Sequence, residues 1–470
     1  MKKHLTIVIK LGTSSIIDEK THQPLLSILS TIVETAVSLH KEGHKVVIVS
    51  SGAIGIALRR MNLDRRPKHL PKVQALAAIG QCHLMSLWDQ LFMHLGQPVA
   101  QILLTRNDIA DRTQYLNAQN TFVELLNMGV IPIVNENDTL SVTEIKFGDN
   151  DTLSAITAGM VQADYLFLMT DVDCLYDKNP RTNPDAKAIE VVEDIADLEA
   201  DVSSAGSALG TGGMSTKIVA ARLATSAGVT TIITRSSKPG NIASILGYAE
   251  TQRGVRTPVM RSPSRNSMLS SQELPLRIAT IEQAAVASEQ LDEALRKKDG
   301  MNGTHSPKLE AADQPPLHTR FLPDLHPIRD RYFWLLHGLT PHGTLYIDSG
   351  AHRALADKAG LLPVGVVDVD GSFAQQEAVR IVVVKRLSGH EYERHDPPPV
   401  EVGRALVNYS AAEIRRIRGV RSTEISGVLG YADSEYVALR ENIAFLGKNS
   451  RPSTPSRLLP NSEIKTPVQA

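Results

Sequence analysis

An apolar, β-branched run, Leu5 to Ile9, is broken at once by Lys10-Leu11-Gly12-Thr13-Ser14. A lysine that closes a buried strand needs an anionic partner, because an ammonium taken out of water without one is strongly disfavoured. Lys10 therefore demands a fold in which the C-terminal edge of a strand faces negative charge. The same construction recurs, since Val46 to Val49 runs into Ser50-Ser51-Gly52-Ala53. Val130 to Val134 likewise runs into Asn135-Glu136-Asn137-Asp138, followed by Phe147-Gly148-Asp149-Asn150-Asp151. In open α/β sheets ligands gather beyond the carboxyl ends of the strands, so these turns predict one shared site.

A fourth segment, Gly210-Thr211-Gly212-Gly213-Met214-Ser215-Thr216-Lys217, leads into an apolar-periodic stretch. Glycines allow close approach of the backbone to an anion, and the N–H groups opening a helix, with a lysine, supply positive charge. It is not a Walker A loop, in which the lysine directly follows a glycine. Alone, the run suits a mobile loop equally well.

Two lysines, three glycine turns and an Asp/Asn cluster suit phosphoryl transfer to an acceptor that needs no deprotonation. A carboxylate, with an ordinary pKa of about 4.3, is already ionised at neutral pH. Catalysis then reduces to positioning the groups and neutralising charge on the one transferred. Taken singly, Asp149 and Asp151 also suit turn positions, and Asp138 a helix cap.

Together, Lys10 to Ser14, Ser51-Gly52-Ala53, Asn135 to Asp138, Gly148 to Asp151, Thr170-Asp171 and the run ending at Lys217 resemble, in order and spacing, the glutamate 5-kinases of the amino acid kinase family. The match covers roughly residues 5 to 250. The resemblance implies a three-layer α/β/α sandwich that uses ATP and Mg2+ to phosphorylate the γ-carboxylate of L-glutamate. It implies that Lys10 and Lys217 neutralise the transferring group and that Asp149 holds them in place. It implies that Ser51, Asp138 and Asn150 bind glutamate, with Asp138 facing the α-ammonium. Lys10, Gly12, Gly52, Thr170, Asp171 and the segment Thr211, Gly212, Gly213, Met214, Ser215, Thr216 and Lys217 fall at nucleotide-binding positions. Proline is the implied feedback inhibitor, with Thr139 to Phe147 bordering both ligands. A homo-oligomer and hand-over of glutamyl phosphate to a glutamate-semialdehyde dehydrogenase are further implications.

The chain has 470 residues and a formal charge of −1, which gives no global attraction to nucleic acid or membrane. The start, Met1-Lys2-Lys3-His4 before an apolar run, imitates a signal peptide, but Lys10 and Gly12 cut the apolar core short, so a cytoplasmic protein is expected. Its two cysteines, Cys82 and Cys174, lack metal-ligand spacing, and Cys82, within the periodic stretch Val73 to Leu91, is expected in the core. The 15 histidines show no metal-binding motif; magnesium is expected on ATP phosphates, with no protein metal site.

Past residue 254 the composition turns rich in Ser, Pro and charge. Residues 255–330 read as a partly disordered linker with a helical island from Thr280 to Lys298, so that a fragment ending near residue 255 is expected to fold and keep its chemistry. Strand patterns return over 331–447: Thr344 to Ile347, Val364 to Val369, Ala378 to Val384, Glu401 to Val407 and Tyr436 to Leu439, with a helix from Ser410 to Arg416. This part resembles a small β-rich PUA domain, and the tail 448–470 reads as disordered. Such modules bind RNA elsewhere; here Arg415, Arg416, Arg418 and Arg421 read instead as a solvated helix face, because acids balance bases. Two alternatives stand beside this reading. One is another carboxylate or carbamate kinase, such as an acetylglutamate kinase; the other is an RNA-binding regulator with a vestigial kinase fold.

Overall fold

The computed structural model describes residues 4–140, 150–195, 198, 213–255, 314–328, 330–387, 391–393, 395 and 397–446. Among them, ten strands build the N-terminal part. They are β1 (Thr6–Leu11), β2 (Lys45–Ser50), β3 (Val99–Leu104), β4 (Ile131–Glu136), β5 (Tyr165–Thr170), β6 (Leu175–Tyr176), β7 (Ala188–Ile189), β8 (Val191–Val192), β9 (Thr230–Arg235) and β10 (Thr319–Phe321). β6 and β7 form a separate hairpin, and the rest make one eight-stranded sheet in the order β3-β4-β2-β1-β5-β9-β10-β8. From β3 to β9 every pairing is parallel. The central strands are buried almost end to end, as parallel strands covered on both faces must be.

Helices accompany these strands: α1 (Thr13–Ile16), α2 (Leu26–Lys41), α3 (Ala53–Arg60), α4 (Leu70–Met93), α5 (Arg106–Ala110), α6 (Arg112–Asn127), α7 (Asn150–Met160), α8 (Met214–Ser226) and α9 (Asn241–Val255). Side chains alternate between the faces of a strand, so Val8 and Lys10 look the same way. On that face Val8, Val47 and Leu166 pack with Leu153 and Ile156 of α7 and Ala220 and Ala224 of α8. α2 lies against β2 and buries Leu29, Ile32 and Val33 outside that cluster, supplying the other layer. The expected α/β sandwich is thus formed.

α4 buries Val73, Leu76, Ala77, Gly80, Leu84, Trp88 and Phe92. Cys82 falls off this stripe and is exposed, contrary to expectation; Cys174 is the buried cysteine. At Gly80 α4 touches α3 so closely that a Cβ would sit 1.7 Å from the Ala53 carbonyl oxygen. Gly52 caps α3 at φ 104°, a left-handed conformation that a side chain would strain.

The chain beyond α9 returns to the sheet earlier than its composition suggests. β10 pairs antiparallel with β9 and parallel with β8, and the Thr319 hydroxyl accepts the Leu175 N–H at 2.7 Å. A short helix, Asp330–Phe333, then runs into a π-helical turn, Trp334–Gly338. Phe333, Trp334, Leu335 and Leu336 join the same core as α6, α7 and α8, and Trp334 Nε1 donates to Ile109 O at 2.9 Å. Residues 319–321 are therefore a strand of the kinase sheet rather than linker. A fragment ending near residue 255 loses that strand and uncovers the apolar surface under Phe333 to Leu336, so, contrary to expectation, it lacks part of its own sheet and core.

The C-terminal part is a five-stranded sheet of β11 (Gly343–Ile347), β12 (Val366–Gly371), β13 (Ala378–Val383), β14 (Val400–Leu406) and β15 (Ile443–Phe445), ordered β12-β11-β13-β14-β15. Tyr436 to Leu439 contributes only an isolated bridge, Leu361 to Ala438, and the last strand lies a few residues later. The helix Ala411–Ile417 is capped by Ser410. Arg415 donates to Gly371 O and Arg416 to Val428 O, while Arg418 pairs with Asp368, so three of the four arginines of this basic cluster are engaged within their own domain. By contact density Ser244–Pro316 is a second unit that begins within α9. The expected island Thr280 to Lys298 and the tail from residue 448 lie outside the described residues. No helix among the described residues is long and apolar enough to cross a membrane.

Candidate active site

Parallel strands carry their carboxyl ends to one edge, and there Lys10 of β1 meets the first turns of α7 and α8. Asp151, on α7, has a fully buried side chain; those of Lys10 and Lys217 are 5% and 10% exposed. One carboxylate oxygen, Oδ1, pairs with the Lys10 ammonium. The other, Oδ2, lies 3.3 Å from Lys217 Nζ and 2.8 Å from the Thr216 hydroxyl. Thr216 also accepts the Gly213 N–H at 3.0 Å, tying the start of α8 to the same carboxylate.

Burial pushes the Asp151 carboxyl up, but the charges of Lys10 and Lys217 and the hydrogen bonds from Lys10 and Thr216 outweigh it and hold the group at about 2. Two ammonium groups against one carboxylate leave one net positive charge at the strand ends. A buried ion pair survives only when it is well hydrogen-bonded, and removing one partner typically destabilises by about 3–5 kcal/mol. The cluster is therefore a rigid cationic pair facing the edge where a phosphate would lie.

The resemblance assigns the holding of these lysines to Asp149; among the described residues it is Asp151 that pairs with both. Asp149 itself, with Ser141 to Gly148, Thr211 and Gly212, lies outside the described residues. From the sequence alone, Asp151 reads as one acid of the Asp/Asn cluster that also suits a turn, with no role of its own. A usable signal is present further along the same helix: Ser154, Ala155 and Ala158 lie three, four and seven positions on and are buried with it.

Beside the cation pair lies an amide network. Asn150 Nδ2 donates to Ser51 Oγ at 2.7 Å and to Asn135 Oδ1 at 3.0 Å. Asn135 sits at the buried end of β4, and its Nδ2 donates to Gln81 Oε1 of α4 at 2.8 Å. Ser51 and Asn150, both expected at the acceptor substrate, are thus joined directly. Asp138 is half-buried in the turn after β4. Asn135 and Gln81 are not among the site residues expected from the sequence; a glutamine next to Gly80 on the buried stripe of α4 is the signal for the second.

Gly12 follows β1 in extended backbone, and a Cβ there would stand 3.8 Å from Lys10 Nζ, in contact with the ammonium. Thr170 closes β5 and is buried, and its hydroxyl donates to Asp171 Oδ1 at 3.2 Å. Asp171 is also held by Arg181. Arg235, closing β9 beside Thr170, forms a two-pronged pair with Asp173 at 2.8 and 2.7 Å. Gly213 caps α8, with Met214, Ser215 and Thr216 in its first turn and Lys217 one position further, so its opening N–H groups point to this edge.

A cationic pair and helix N-termini at the carboxyl edge of a parallel sheet define a phosphotransferase site. The chain belongs to the amino acid kinase family, which residues 5–235 match; residues 343–429 match the PUA domain. A probable glutamate 5-kinase of Schizosaccharomyces pombe is 52% identical over 450 residues, 95% of each chain. An uncharacterized protein of Saccharomyces cerevisiae is 46% identical over 453 residues, covering 95% of this chain and 99% of that one. A glutamate 5-kinase of Trichormus variabilis is 42% identical over 443 residues, covering 93% and 98%.

Proposed function

We propose that the protein transfers the γ-phosphoryl group of ATP to the γ-carboxylate of L-glutamate, forming L-glutamyl 5-phosphate, the first step of proline biosynthesis. The observation that carries this reading is the pair Lys10 and Lys217 clamped on Asp151, in a chain that full-length glutamate 5-kinases match at 42–52% identity. The acceptor arrives ionised, so no general base is needed. Lys10 and Lys217 counter the charge on the transferring phosphoryl, and Asp151 fixes their ammonium groups before substrate arrives, so that little reorganisation is left for the reaction. Thr170, Asp171 and the first turn of α8 border the nucleotide, while Ser51, Asn150 and Asp138 border glutamate. Asp138 lies on the glutamate side as the partner of the α-ammonium.

Asp151 has both oxygens committed to protein groups, and no cluster of three metal-ligating side chains occurs among the described residues. Magnesium accompanying ATP would be held mainly by phosphate oxygens, with a carboxylate or water completing its shell. Proline, which carries the same ammonium and α-carboxylate as glutamate, is the proposed feedback inhibitor. A homo-oligomeric state, cytoplasmic location and hand-over of the labile acyl phosphate to a glutamate-semialdehyde dehydrogenase complete the proposal.

ADP release measured with glutamate, N-acetylglutamate and aspartate tests the reading. Turnover with glutamate alone is expected. Preference for the N-acetylated acid, or no response to glutamate, would overturn it.

A further inference from the structure

Hydrogen-bond logic fixes the orientation of every amide beside the cation pair. The anchor is a backbone group: Glu136 N–H can only donate, and it lies 2.9 Å from the Asn135 side-chain oxygen. Asn135 must therefore turn its Nδ2 the other way, where it needs an acceptor. Gln81 Oε1 supplies one at 2.8 Å. The Asn150 atom facing Asn135 Oδ1 must in turn be a donor, and the Asn150 NH2 group divides its two hydrogens between Asn135 and Ser51. That leaves Asn150 Oδ1 as the terminal acceptor of the chain. It is buried and accepts no hydrogen bond from any described residue. A buried carbonyl oxygen left without a donor is destabilising, and its natural completion is a donor brought by the substrate.

We propose that Gln81 is a positioning residue for substrate specificity: from α4, through Asn135, it holds Asn150 so that Oδ1 presents an acceptor to the α-ammonium of the amino-acid substrate. This rests on the reading of the site as a glutamate kinase and deepens it by naming what selects an amino acid over a plain dicarboxylate. Gln81 sits next to Gly80, whose missing side chain brings α4 down onto α3. The helix contact therefore sets the depth from which Gln81 reaches Asn135. Asn135 is the last residue but one of β4 and pairs with Leu103 of β3. The relay thus runs from one rigid element through a second to the first residue of a third.

The test compares two ligands that differ only in the amino group: KM for glutamate, and the inhibition constant of glutarate competing with it. Gln81→Met keeps length and removes the acceptor. It is expected to raise the glutamate KM about tenfold, while the glutarate constant, the ATP KM and kcat each stay within about twofold. Gln81→Glu retains an acceptor and is expected to keep the glutamate-to-glutarate ratio at or above that of the unaltered protein. An equal rise for both ligands in Gln81→Met would show a merely structural role and overturn the proposal. Loss of the ratio in Gln81→Glu would do the same, and serves if Gln81→Met does not fold. Should the unaltered protein not turn over glutamate at all, the functional reading fails and this inference falls with it. Normal glutamate turnover with an unchanged ratio sinks the relay alone.

Discussion

Lys217 Nζ and Asp151 Oδ2 meet at 3.3 Å across 66 positions of chain, with the carboxylate wholly buried. The first turns of α7 and α8 bring that contact to the edge of the sheet, where β1 delivers the second ammonium, Lys10. Removing either lysine leaves Asp151 with half its compensation. Lys10→Ala and Lys217→Ala are each predicted to cut kcat by about 10² or more, the scale of one charged transition-state donor. Steady-state turnover of folded variants checks this, and near-normal kcat in either would remove that lysine from the chemistry.

Asp138→Asn is predicted to weaken glutamate far more than ATP. A charge-assisted hydrogen bond to an ammonium is worth roughly 1.5–3 kcal/mol, or about tenfold to a hundredfold in binding. The measurement is the pair of KM values; an equal rise in both would contradict the placement of Asp138 beside the acceptor.

Acid should loosen the fold in two stages. His337, in the π-helical turn, lies 3.3 Å from the Ser226 hydroxyl, and burial, with the nearby Arg404, pushes it down to about 3 from an ordinary value near 6.5. Folded chains then carry fewer protons than unfolded ones below about pH 6.5, so stability falls as pH drops from there towards 3. Asp151, held at about 2 against an ordinary 3.8, adds a loss confined to the range below about 3.8. Denaturation midpoints between pH 7 and 4.5 should decline, and His337→Gln should flatten that decline. An unchanged slope in the variant would show that His337 titrates normally.

Truncation separates the sheet from the appended domain. A chain ending near residue 255 lacks β10 and the residues Phe333 to Leu336, whereas one ending after residue 342 keeps both. Phe333 also fills the space beside Gly159 of α7, where a Cβ would approach its ring to 2.6 Å. The shorter fragment is predicted to aggregate or melt at a much lower temperature than the longer one. Size-exclusion profiles and thermal melts decide, and equal behaviour would mean that the return of the chain contributes nothing to the core.

What was legible in the sequence is what local chemistry announces. Lys10 at the end of an apolar run declares a buried cation, and the glycine turns at Gly12 and Gly52 mark the strand ends where it sits. Less was announced by contacts made at long range. β10 is only three residues long, lies after the long Ser/Pro-rich stretch, and is defined by partners on β8 and β9 that no local pattern reveals. Asp151 reads in the motif as one acid among several, and its commitment to the two lysines rests on its place on the inner face of α7, which the helix phase sets and the motif does not. Cys82 illustrates a related limit: a periodic stretch says that a helix has a buried face, while a shift of two positions from Gly80 carries a residue to the other side.

The most direct test of the account is glutamate-dependent ADP formation by Asp151→Asn beside the unaltered protein. An amide of the same shape keeps the packing but removes the charge that holds both lysines, so kcat is predicted to fall by about 10² or more in a variant that still binds ATP. A folded Asp151→Asn protein with turnover within a few-fold of normal would contradict the claim that this carboxylate organises the site.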